Sequence, residues 1–175
     1  MNLNTSAEES ITEDNRDGII KIGEETQERT AYRIIDANLN RLREGLRCVE
    51  EYFRLSWDEK ESKAASRIRS IRRLVKNGEM YFSEKSLLEC RETESDPFSA
   101  PDPSIDSQRD GLVDVVKAGI KRSQEASRAI EEYSLLLKNV PDPKETKKYS
   151  SKESPSSIFK KIRFMIYELE KDVLL

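Results

Sequence analysis

Six apolar residues recur along one stretch at steps of 4, 3, 4, 3 and 4: Ile35, Leu39, Leu42, Leu46, Val49 and Phe53. On a strand these steps would scatter the side chains over both faces. On an α-helix they draw one continuous seam, which is stable in water only when another helix covers it. The seam predicts a helix from about Gln27 to Leu55 and requires helical partners for it.

The partners follow along the chain. A second helix is expected to open at Asp58, a capping residue with Glu61 three positions on, and to close at Gly78. Its buried stripe is Ala64, Ile68, Ile71, Leu74 and Val75. A short helix is expected over about Met80–Glu89, and a long one over about Asp106–Lys138. A last helix starts near Pro155, with Ile158, Ile162, Met165, Ile166, Leu169 and Val173 on one stripe. All six prolines fall in two breaks, 91–107 and 139–157. With only six glycines besides, the chain lacks the turns of a many-stranded sandwich. The expected fold is all-α: a bundle of four long helices and one short helix with an internal helix repeat. Residues 1–28 are expected to be an acidic, mostly disordered arm, with eight acids against Arg16 and Lys21. Since the whole chain carries -3 and this arm -6, the bundle domain, 29–175, carries +3.

The charged fraction, 37%, exceeds the hydrophobic fraction, 35%, as long solvated helices require. The chain has no histidine, which excludes a Ser-His-Asp triad and imidazole metal ligation. Cys48 and Cys90 stand singly, so a thiolate zinc site is excluded too. A pI near 5.4 argues against nucleic acid as a partner. No run of 18 apolar residues exists to span a membrane. Met1–Glu9 lacks the basic and apolar regions of a secretory signal, so a cytoplasmic protein with free thiols is expected. Trp57 reads as a packing plug, Cys48 as a small buried residue, and Tyr52 and Tyr133 as edges of the core.

A repeat lies at an offset of 81 residues, where LNRLREGLRCVEEY (Leu39–Tyr52) aligns with IKRSQEASRAIEEY (Ile120–Tyr133). Six of the fourteen positions are identical: Arg41/Arg122, Glu44/Glu125, Arg47/Arg128, Glu50/Glu131, Glu51/Glu132 and Tyr52/Tyr133. Leu42 and Leu46 align with Ser123 and Ser127, so the apolar stripe is partly lost while the charges stay. Asn40, Glu44, Arg47 and Glu51 share one helix face, and Lys121, Glu125, Arg128 and Glu132 reproduce it. Two readings stand side by side. One is a solvated ladder of i,i+4 ion pairs worth about 0.3–0.5 kcal/mol each. The other is a duplicated hairpin that sets two arginines and several carboxylates around one polar site.

The segments RIIDANLNRLREGLRCVEEYFR (Arg33–Arg54), CRETESD (Cys90–Asp96), DVVKAGIKRSQEASRAIEEY (Asp114–Tyr133) and IRFMIYELEK (Ile162–Lys171) resemble a helical thiamine-biosynthesis domain. That family occurs alone or fused ahead of thiamine phosphate synthase and is regarded as an alternative hydroxymethylpyrimidine phosphate kinase. The resemblance implies an ATP- and Mg2+-dependent phosphorylation of hydroxymethylpyrimidine phosphate to the diphosphate. It implies substrate contacts by Asn38, Asn40, Arg41, Arg47, Arg91, Thr93, Lys121, Arg122, Gln124 and Arg128. It implies catalytic roles for Glu44, Asp96 and Glu125, and metal ligation by Asp36 and Asp96. The chain departs from the family's pattern at Gly119, where Asn is usual, and at Pro97-Phe98 after Asp96. No synthase barrel is present, so the pyrimidine–thiazole coupling is not expected of it.

Phosphoryl transfer to an acceptor that is already a phosphate needs no general base, which suits a chain without histidine. The chain has neither GxGxxG nor GxxxxGK[ST], so side chains and helix N-termini would have to hold the phosphates. The alternative is a non-catalytic helical module that binds a phosphorylated ligand or a partner enzyme of the same pathway, such as thiamine phosphate synthase. A homo-oligomer is compatible with either reading.

Overall fold

The computed structural model describes residues 23–55, 59–94, 96, 109–138 and 153–175. Within them lie five α-helices: α1 (Glu24–Leu55), α2 (Glu59–Glu79), α3 (Glu84–Glu89), α4 (Leu112–Tyr133) and α5 (Pro155–Leu174), with a 3-10 turn at Ser134–Leu136 after α4. Among the described residues there is no strand. The expectations for residues 1–22, Trp57, Asp58 and most of both proline-rich breaks lie outside the described residues.

The expected seam is the core. Ile35, Leu39, Leu42, Leu46, Val49 and Phe53 are all buried along α1, facing Ile68, Ile71 and Val75 of α2 and the stripes of α4 and α5. The four long helices form a ring: α1 packs on α2 and α4, and α5 closes it against α4 and α2. The widest of these interfaces is α1 against α4. Their backbones meet at Gly45, where an added Cβ would lie 2.5 Å from Ser123 Oγ and 2.7 Å from the Gly119 carbonyl oxygen. A Cβ on Gly119 would lie 2.8 Å from Val49 Cγ2, so the two helices run antiparallel. Ser123 and Ser127 are fully buried, and each donates its hydroxyl 2.7 Å to the carbonyl four residues earlier. The stripe is therefore not lost where serine replaces leucine. It is thinned, which lets the small residues of α4 come close to α1.

Several boundaries differ from expectation for local reasons. The α1 helix starts at Glu24, three residues early, inside the acidic zone. The chain turns at Met80–Ser83 before α3, because Ser83 caps α3 by accepting from the Ser86 N–H at 3.2 Å. Tyr81 and Phe82 fill the turn and are buried. The α4 helix begins at Leu112, not Asp106, with Gly111 as an extended N-cap. Ser154 caps α5 with Pro155 at its first turn. Ala65, and not Ala64, is the buried alanine of α2. Cys48 is exposed, contrary to its expected burial.

The duplication extends past the helices that revealed it. At an offset of 91 residues, Ile71, Arg72, Val75 and Glu79 of α2 align with Ile162, Arg163, Ile166 and Glu170 of α5. The matched residues do matched work. Glu50 of α1 is held by Arg72 and, at 3.4 Å, by Arg69. Its counterpart Glu131 of α4 is held by Arg163 at 2.9 Å and by Arg128 at 2.8 Å. Arg43 binds Glu79 at 3.1 Å, and its counterpart Gln124 donates 2.8 Å to Glu170. The bundle is thus two α-hairpins, α1–α2 and α4–α5, that share one buried Glu–Arg frame.

Candidate functional site

The frame accounts for part of the charge retained in the repeat. Glu50 and Glu131 are 4% and 5% exposed, and a buried carboxylate must be paired. Burial pushes the Glu50 carboxyl up, but Arg72 and Arg69 outweigh it and hold it below the ordinary carboxylate range. These two glutamates lie among the six identities of the repeat, yet their burial depends on α2 and α5. No spacing within α1 or α4 discloses that.

The remaining charged identities face water, while Tyr52 packs against the core. Arg47 and Glu51 pair at 2.6 Å and Arg128 and Glu132 at 2.7 Å, all about half exposed, as i,i+4 pairs. Arg41, Glu44, Arg122 and Glu125 are exposed and make no ion pair among the described residues. Together these groups give α1 and α4 each an exposed polar face of the same composition. Asn40 is half-buried and accepts from Arg43. Asn38 is buried and donates 2.8 Å to the Ile34 carbonyl, one turn back in its own helix.

Lys121 and Gln124 converge on one carboxylate. Lys121 Nζ lies 2.8 Å from one oxygen of Glu170, and Gln124 donates 2.8 Å to the other. Burial pushes Glu170 up, but these two contacts outweigh it and hold its pKa below the usual value.

The loop after α3 docks on the N-terminal half of α1. Arg91 grips Asp36 with two parallel bonds of 2.7 Å, and Asp36 is buried. Arg33 donates 2.8 Å to the Glu92 carbonyl, while Arg29 reaches the Glu92 carboxylate at 2.6 Å. Thr93 and Asp96 follow on the exposed side of the loop, where the Asp96 N–H donates 3.4 Å to the Thr93 carbonyl. The structure thus joins Asp36 to Arg91 and Thr93 to Asp96, as two separate contacts of the same loop region. Burial pushes the Cys90 thiol up, the wrong direction for a thiolate nucleophile.

Among the described residues no three acidic or sulfur ligands cluster as a metal cage. A Mg2+ ion needs less than a cage, since one or two carboxylates suffice when substrate phosphates and water complete its shell. A carboxylate offers about four lone-pair sites, so the grip of Arg91 leaves Asp36 able to accept a further ligand. Asp36 and the exposed Asp96 are each the oxygen-ligand type that such an ion takes.

A cleft of about 160 Å³ opens elsewhere, between α1 and α2, lined by Arg43, Leu46, Arg72, Val75, Lys76 and Glu79. Neither Arg47 nor Arg128 lines it. Sequence spacing singled out Leu46 and Val75 as core positions but none of the charged residues of the cleft, although Arg43 abuts the expected contact Asn40.

Comparison with known proteins places these features in a family. The model of the ThiD2 family matches residues 33–172, a span holding all the candidate residues. The thiamine-phosphate synthase of Gloeobacter violaceus is 35% identical over 111 residues, covering 63% of this chain and 31% of the relative. That of Nostoc punctiforme is 28% identical over 151 residues, covering 86% of this chain and 37% of the relative. The chain thus spans about a third of the length of the curated relatives it matches. No solved structure matches it.

Proposed function

The chain belongs to the ThiD2 family, and from that premise we propose that it serves thiamine biosynthesis by phosphorylating hydroxymethylpyrimidine phosphate to the diphosphate with ATP and Mg2+. The observation that carries this reading is the family match over residues 33–172, which takes in both polar repeat faces and the Arg91–Asp96 loop.

The residues present suit the chemistry. Two phosphorylated molecules must be brought together against their mutual repulsion, so cations dominate the work. Arg47 and Arg128 offer planar guanidinium groups on matching faces, and Arg41, Lys121 and Arg122 add charge beside them. Arg91 is oriented by Asp36, as a side chain that positions a phosphate should be. Asp36 and Asp96 would hold Mg2+, which when bound supplies charge neutralisation at the transferring phosphoryl group. Glu44 and Glu125, exposed and without ion-pair partners among the described residues, would accept from the amine group of the pyrimidine.

The relatives are synthases, and their similarity to this chain covers only part of them. We infer a pathway link on that ground, with thiamine phosphate synthase as the enzyme that consumes the product. Growth tests this reading. The full chain should restore thiamine-independent growth to a bacterium that lacks its own pyrimidine phosphate kinase. Asp96→Asn should not restore it at equal protein level. Failure of the unaltered chain, present and soluble, would overturn the proposal.

A further inference from the structure

We propose that the cleft between α1 and α2 is a phosphate-binding site, built by Arg43, Arg72 and Lys76 over a floor of Leu46 and Val75. This inference stands apart from the kinase reading, because it concerns equilibrium binding at a place none of the expected site residues lines.

The charge balance is the first support. Arg43, Arg72 and Lys76 bring three positive charges to the lining of the cleft. Glu79 in the lining and buried Glu50 behind Arg72 bring two negative ones, leaving an excess of one, the charge of a phosphate monoanion. Each arginine is partly committed: Arg72 to buried Glu50, and Arg43 to Glu79 and Asn40. Lys76 makes no ion pair among the described residues. Its charge acts on Glu79 from a distance, without an ion pair, so it is the least committed of the three cations.

The floor is the second support. Leu46 and Val75 are 1% and 2% exposed, so an anion in the cleft sits against apolar surface where charge-assisted bonds strengthen. Glu79 reports that environment, since burial pushes its carboxyl up despite Arg43 beside it. A volume of about 160 Å³ is that of roughly five waters, room for one phosphate group.

The second hairpin supplies an internal comparison. At the equivalent positions it keeps the frame, Glu131 with Arg163 and Gln124 with Glu170. Where the first hairpin has Arg43 and Lys76, it has neutral Gln124 and Tyr167. The frame serves folding in both copies. The second hairpin meets its carboxylate Glu170 with one lysine, Lys121, whereas the first sets Arg43 and Lys76 beside Glu79, one cation more than the pairing needs.

Isothermal titration of the full chain with inorganic phosphate, and separately with a pyrimidine monophosphate, tests the site. One saturable site is expected, weakened about tenfold or more by Lys76→Gln and left unchanged by Lys160→Gln, an exposed lysine outside the cleft. Glu79→Gln should tighten binding several-fold, because it removes the carboxylate that competes for Arg43. Saturation by inorganic phosphate alone marks a free-phosphate site, and tighter saturation by the monophosphate marks a substrate subsite. Arg72 is left intact, since it neutralises Glu50. If the folded Lys76→Gln and Glu79→Gln proteins both bind phosphate as the unaltered chain does, the assignment fails.

Discussion

Replacing Arg72 by methionine tests the Glu–Arg frame most sharply. The substitution keeps an apolar stem of similar length and removes the main cation from Glu50, a carboxylate that is 4% exposed. Breaking a buried ion pair by deleting one partner costs about 3–5 kcal/mol. Two features of the structure pull the figure to the low end. Arg72 itself is one-third exposed, and Arg69 still touches the other Glu50 oxygen at 3.4 Å. The expected loss is therefore about 3 kcal/mol. For a chain of this size it lowers Tm by roughly 6–12 °C. The pH dependence carries a second signature. In the unaltered protein the Glu50 pKa lies below its unfolded value. Its contribution is present above that value and lost as the pH falls through the folded pKa. Without Arg72, burial is opposed only by exposed Arg69, so the folded pKa moves above the unfolded one. The variant then regains stability as the pH drops toward about 4.3, and its deficit narrows. Urea denaturation followed by far-UV circular dichroism at pH 7 and near pH 4.5 measures both effects. A deficit under about 1 kcal/mol at pH 7, or one that does not change with pH, would refute the role given to the frame.

Arg47→Ala and Arg128→Ala remove exposed i,i+4 partners, so each should cost under about 1 kcal/mol in a thermal melt. Each should nonetheless weaken binding of hydroxymethylpyrimidine phosphate by about tenfold or more in isothermal titration, through loss of a charge-assisted contact. Gly45→Val should lower stability by about 3 kcal/mol, because its Cβ alone would sit 2.7 Å from the Gly119 carbonyl oxygen. Gly111→Ala, with nothing within 4 Å, should cost less than about 1 kcal/mol in the same melts. Burial raises the Glu79 pKa, so its favourable contribution is full below the unfolded value and lost as pH rises through the folded one. Glu79→Gln should therefore raise Tm at pH 7 and leave it unchanged near pH 4.

The α1 seam was legible because a strict 4-3 spacing has one helical interpretation, and all six of its residues are buried. The stripe of α5 read equally well at Ile158, Ile162, Ile166 and Leu169, yet missed Phe159, one of the largest fully buried side chains. Phe159 lies one position off the stripe. It is buried because Gly78 leaves room for its ring and Phe82 stacks beside it, 6.1 Å between centroids. Periodicity within one helix does not contain that partner. The frame escaped for the same reason. The offset is 81 residues in α1 and α4 but 91 in α2 and α5, so a single alignment shift shows only half of the duplication. The Arg91–Asp36 grip joins residues 55 apart, and only the resemblance had named both. The α1–α2 cleft had no sequence signal, because Arg43, Arg72 and Lys76 are ordinary surface residues until two helices face each other.

The central claim is that this helical unit transfers a phosphoryl group to a phosphorylated pyrimidine. Its most direct measurement is product analysis by ion chromatography, with purified full-length protein, hydroxymethylpyrimidine phosphate, ATP and Mg2+. We predict hydroxymethylpyrimidine diphosphate and ADP in equal amounts, with Asp96→Asn slowing turnover by about a hundredfold or more. Tight binding of the pyrimidine phosphate by intact protein, with neither diphosphate nor ADP formed, would contradict the claim and leave a binding module in its place.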